Sequence, residues 1–102
     1  MVEKGNSRGS LSEIRLALQA REALQTLERS NGTANDDLLH SWLSKVGLAI
    51  SRRDLISLLD RLECEGFVRG DEVEGRRVIK LTREGMEITQ DISRCEWIAP
   101  SI

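Results

Sequence analysis

A chain of 102 residues with 39% hydrophobic and only 3% aromatic residues can bury one modest core, filled by leucine, isoleucine and valine rather than by rings. A formal net charge of -2 excludes a uniformly basic polyanion binder, and the shortage of rings excludes a base-stacking platform for single strands. Cys64 and Cys95 lack C-x-x-C spacing and His40 is the single histidine, so no metal and no cofactor is expected. No apolar run approaches a membrane span and no signal-peptide pattern opens the chain. A cytoplasmic protein with reduced thiols and no membrane partner is expected.

Residues 1–10, "MVEKGNSRGS", are polar and punctuated by glycine, and read as a flexible leader. Ser10 and Glu13 have capping-box spacing, which predicts a first helix from there to about Arg29, stopped by "SNG" at Ser30–Gly32. On a helical wheel Leu16, Ala17, Ala20, Ala23, Leu24 and Leu27 make one apolar face, and Leu11, Ile14 and Leu18 widen it near the start. Either two neighbouring elements of the same domain cover both sectors, or the wider sector is a dimer seam. Thr33 and Asp36 repeat the capping spacing before a second helix whose stripe is Leu38, Leu39, Trp42, Leu43 and Val46, ended by Gly47.

A third helix opens at Ser51, with Asp54 placed for a reciprocal cap, and buries Leu55, Leu58, Leu59 and Leu62 before Gly66 releases the chain. Two short extended runs, Phe67 to about Glu72 and Arg76 to Leu81, meet around Glu74-Gly75 as a β-hairpin. A last helix is predicted from Thr82 to about Cys95, presenting Met86, Ile88 and Ile92. Residues 96–102 form an apolar tail containing Pro100, which cannot prolong that helix. The predicted order is helix, helix, helix, strand, strand, helix. This is a mainly α winged helix-turn-helix spanning residues 11–95.

In such a motif the second of the paired helices enters the major groove and its early residues meet base edges. Here those are Ser51, Arg52 and Arg53, followed on the outward side by Ser57, Asp60, Arg61 and Cys64. Arginine can offer a bidentate fork to guanine, and serine can reach a phosphate or a base edge. Arg76 and Arg77 follow the wing tip, and Lys80, Arg69 and Lys45 could neutralise phosphates. Between Lys45 and Arg83 nine bases face seven acids, whereas the rest of the chain carries six bases and ten acids. The reading head is therefore the basic part of an acidic protein, although Asp60 on its outward face would repel phosphate unless Arg53 or Arg61 pairs with it. Catalysis is not expected: there is one histidine, no motif-placed nucleophile and no carboxylate pair on a recognisable scaffold.

"GRRVIKLTREG", residues 75–85, resembles the wing and following helix start of the MarR-like and ArsR-like regulators, where a basic wing precedes a Leu-Thr-x-x-Gly step. Over most of the chain "IRLALQ" (14–19), "ANDDLL" (34–39), "ISRRDL" (50–55), "LECEGFV" (62–68) and "LTREG" (81–85) are similar to a family of small winged-helix proteins encoded in Mu-like prophages. That family has an arginine and a proline in its C-terminal tail, as at Arg94 and Pro100 here. The resemblance implies a winged-helix fold in a phage or prophage context. It matches Ser51 and Arg52 to the family's helix start and Arg76 or Arg77 to its wing arginine. The tail departs from the family's basic one, since "EWIAPSI" contains no Lys or Arg.

The leading expectation is a dimeric phage-type regulator that binds duplex DNA through Ser51, Arg52, Arg53, Ser57, Arg61, Arg76, Arg77 and Lys80. Its homodimer interface would comprise Leu11, Ile14, Leu18, Ile92, Trp97 and Ile98. The alternative is a winged helix that binds a host or phage protein and no DNA.

Overall fold

The computed structural model describes residues 3–100, with side chains described from Leu11 onward. Four helices and a three-stranded antiparallel sheet follow in the order α1 (Glu3–Arg29), β1 (Thr33–Asn35), α2 (Asp36–Lys45), α3 (Arg52–Cys64), β2 (Val68–Val73), β3 (Arg76–Leu81) and α4 (Arg83–Thr89). This is the winged helix-turn-helix arrangement expected from the sequence, with one strand more than the hairpin required.

The extra strand is β1. It pairs with β3 in the register Thr33↔Lys80, Ala34↔Ile79, Asn35↔Val78, giving the sheet order β1-β3-β2. Thr33 is therefore a strand residue, not a helix cap. Asn35 caps α2 instead, its side-chain oxygen accepting from the Leu38 N–H at 2.8 Å. Three residues are too few to show an alternating pattern, which explains why the strand is invisible to periodicity.

Two helix boundaries also move. Helix α1 begins at Glu3, so Ser10 lies inside it rather than at its start. Helix α4 stops at Thr89, six residues before the expected end. Asp91 takes a left-handed conformation (φ 59°), and the Ile92 N–H turns back to the Glu87 carbonyl at 2.8 Å. Asn31, Gly47 and Gly66 hold the same position after α1, α2 and α3, each with the paired backbone bonds of a Schellman motif.

The core sits where α1, α2, α3 and the sheet converge. Leu24, Leu27, Leu39, Leu43, Leu55, Leu58, Leu59, Leu62 and Ile79 are almost wholly buried. The tail contributes to this core. Ile98 is buried within it and the Ala99 N–H bonds to the Ala17 carbonyl at 3.2 Å, so residues 95–100 fold back over α1. Trp97 packs against the same core. Both residues, expected at a dimer seam, are thus engaged by their own chain, whereas Leu11, Ile14, Leu18 and Ile92 remain exposed.

Candidate nucleic-acid interface

Helix α3 starts where the sequence places it. The Ser51 Oγ accepts from the Asp54 N–H at 3.0 Å, which satisfies one of the free donors of the first turn. Leucines at 55, 58, 59 and 62 turn inward, leaving Arg52, Arg53, Ile56, Ser57, Asp60, Arg61 and Cys64 on the outer face.

The turn between α2 and α3 is held by α1. Gln19, itself buried, donates through Nε2 to the carbonyls of Leu48 and Ala49 at 3.2 Å each, and Arg15 adds a bond to Ala49 O at 3.0 Å. Trp42 ties α2 to α1 by donating Nε1–H to Glu22 at 2.7 Å. Arg29 pairs with the same Glu22 carboxylate at 2.9 Å. These polar ties between helices give no periodic signal, and none could be read from the sequence.

The wing is a tight hairpin. Val73 pairs with Arg76, leaving the two-residue loop Glu74-Gly75, and both loop residues have positive φ (53° and 79°). That is the type I′ geometry matched to the twist of the flanking strands. Below it, Thr82 caps α4, accepting from Gly85 N at 3.0 Å while donating to the Gly66 carbonyl at 2.6 Å. The Leu-Thr-x-x-Gly step therefore joins the end of α3, the wing and α4 at a single threonine.

The cations of this head are mostly engaged inside the molecule. Asp37, in the first turn of α2, receives Arg52 Nη1 on Oδ1 at 2.7 Å and Arg76 Nη1 on Oδ2 at 2.8 Å. The Arg52 guanidinium, and after it that of Arg76, hold the Asp37 carboxyl below the ordinary aspartate value. Arg77 bonds to Asp60 at 2.8 Å and lies 3.9 Å from Glu63, one helical turn further along α3. Glu63 also accepts from the Gly70 N–H of β2. Lys80 lies 3.5 Å from Asp71 across the β2–β3 ladder. Arg61 stacks its guanidinium 3.9 Å from the centre of the Trp97 ring, while Trp97 donates Nε1–H to Glu65 at 3.3 Å.

Of the eight expected contact residues, the structure brings Arg52 and Arg76 together on Asp37 and sets Arg77 against α3. Ser51, Ser57 and Arg61 instead line a cleft beside Arg15 and Gln19 of α1, Lys80 faces Asp71, and Arg53 is exposed. Asp60 does pair with an arginine, but the partner is Arg77 and not Arg53 or Arg61. Among the described residues Arg53, Lys45 and Arg69 are exposed and form no ion pair. The residue missed by sequence reading is Asp37, which looks like an ordinary acidic residue of a helix start. Among the described residues no cluster of three or more His, Cys, Asp or Glu is placed to hold a metal ion, and no helix is long and apolar enough to cross a membrane.

The fold is shared with solved winged-helix proteins. A winged-helix DNA-binding protein from STIV superposes with a TM-score of 0.63 at 25% identity, over 71% of this chain and 79% of that one. The oxidised form of MarR from E. coli matches with a TM-score of 0.60 at 21% identity, over 89% and 70% of the two chains. A PadR-family transcriptional regulator from Eggerthella lenta matches with a TM-score of 0.57 at 21% identity, over 90% and 83%. No family model and no curated protein sequence matches the chain.

Proposed function

We propose that the protein binds duplex DNA through α3 and the wing, and acts as a homodimeric transcriptional regulator of phage or prophage origin. The observation that carries this reading is the convergence of Arg52 from α3 and Arg76 from the wing tip on one exposed point, beside an unpaired Arg53. A helix and a wing presented together can engage the major groove and the adjacent backbone at once. The likeness to the winged-helix DNA-binding protein from STIV supports the activity, and the phage setting rests on the resemblance of "ANDDLL", "ISRRDL" and "LECEGFV" to the prophage family. Exposed Leu11, Ile14 and Leu18 lie at i, i+3 and i+7 on α1, the spacing of a helix-pairing seam, and support a dimer.

The test is fluorescence anisotropy with duplexes from the genomic neighbourhood of the coding sequence, at low and physiological salt. Sub-micromolar binding to one fragment that survives added salt is expected, with Arg53→Ala weakening it more than Arg29→Ala, which lies outside the motif. Equal effects of the two variants would count against the assignment.

A second reading, a winged helix used for protein contacts, is favoured by one observation. Arg52, Arg76, Arg77 and Lys80 are ion-paired internally and Arg61 is stacked on Trp97. It predicts no duplex binding at any salt concentration and capture of a partner through the exposed half of α1, lost in Ile14→Glu.

A further inference from the structure

Arg52 and Arg76 come from different elements, one opening α3 and the other opening β3 just after the wing turn, yet they close on the same carboxylate. Each takes one oxygen, at 2.7 and 2.8 Å. A phosphodiester presents the same recognition features: two equivalent non-bridging oxygens sharing one negative charge. We propose that Arg52 and Arg76 form a single phosphate clamp bridging α3 and the wing, and that the carboxylate of Asp37 competes with a DNA backbone phosphate for it.

The inference rests on the DNA-binding reading and adds to it a specific phosphate site and an internal competitor. Access supports it. The side chains of Arg52, Arg76 and Asp37 are 58%, 63% and 46% exposed, so an incoming phosphate can reach both guanidinium groups without moving the backbone. The neighbouring pair behaves differently. Arg77 is only 27% exposed and is wedged between Asp60 and Glu63 of α3, so it serves as a strut that fixes the wing against the helix.

Exchange is physically reasonable. Exposed ion pairs are weak, and a polyanion adds counterion release that an internal carboxylate cannot supply. Asp37 also loses little when displaced, because its place in the first turn of α2 lies within the favourable end of the helix dipole. The competitor has a use. It subtracts the same amount from the binding of every duplex, whatever its sequence, so non-specific duplex is disfavoured and only a site that supplies further contacts repays the exchange.

The test is anisotropy titration of a short mixed-sequence duplex with wild type, Asp37→Asn, Asp37→Ser and Asp36→Asn over a series of salt concentrations. Asp36 carries the same charge one residue away and makes no ion pair among the described residues, so its variant isolates the general effect of losing one negative charge. Both Asp37 variants should bind about three- to tenfold tighter than wild type at low salt, with a salt slope steeper by about one unit. Asp36→Asn should give much less, and adding Arg52→Ala to Asp37→Asn should erase the gain. If the Asp37 variants bind no tighter than wild type, or Asp36→Asn matches them, the clamp is overturned while the DNA-binding reading stands. If no protein in the set binds any duplex, that reading falls and the clamp with it.

Discussion

Gly85 allows a sharp test of how the wing is seated. A Cβ at this position would drive into the main-chain carbonyl of Phe67 and lie 2.7 Å from Leu81 Cδ1. The first obstacle is backbone at the α3–β2 junction and cannot rotate away, so Gly85→Ala must push α4 off the sheet. An exposed glycine inside a helix would gain about 1 kcal/mol from the same change, through the higher helix propensity of alanine. Overpacking against fixed atoms costs about 1–3 kcal/mol, at the upper end when backbone must yield. The net expectation is destabilisation by about 2 kcal/mol, a fall of about 1–2 M in the urea midpoint for a domain of this size. Equilibrium urea unfolding followed by far-UV circular dichroism measures it. A midpoint unchanged or raised in Gly85→Ala would refute the close approach of α4 to the α3–β2 junction.

The other predictions concern the tail and the charged head. Trp97→Ala and Arg61→Ala should each destabilise the fold, and a double-mutant cycle should return a coupling of about 0.5–1 kcal/mol from the stacked pair; additive effects would mean that the tail does not rest on α3 through this contact. Asp37 has a folded pKa below its unfolded value. Its contribution is therefore fully present above the ordinary carboxylate range of about 4 and is lost as pH falls through the depressed folded value. The stability difference between wild type and Asp37→Asn should accordingly be constant above about pH 5 and shrink under more acidic conditions. A difference that persists unchanged to about pH 3 would contradict the pairing with Arg52 and Arg76.

The elements legible in the sequence were those with strong local signals. Leu55, Leu58, Leu59 and Leu62 announce the buried face of α3, Ser51 announces its start, and Glu74-Gly75 announces the wing turn. The features that escaped depend on distant partners. Strand β1 exists because Thr33, Ala34 and Asn35 meet the free edge of β3, a pairing 43 to 47 residues away in the chain. Helix α1 runs past its apparent cap because a capping-box spacing is also compatible with helix interior, and α4 ends early because Asp91 takes a conformation usually reserved for glycine. In the head, residue types identified the cations but not their partners. Asp37, Asp60 and Asp71 each engage a predicted contact residue, and only the assembled fold shows which. The apolar character of the tail was legible but not what it covers: Ile98, expected at a dimer seam, is buried in the core of its own chain.

The measurement that bears most directly on the central claim is a two-dimensional amide NMR titration of the labelled protein with duplex DNA at physiological salt. The account predicts shifts concentrated from Ser51 to Asp60 on α3 and from Gly75 to Lys80 on the wing, with the exposed face of α1 from Leu11 to Leu18 unaffected. Shifts confined to α1, or none at saturating duplex, would contradict it.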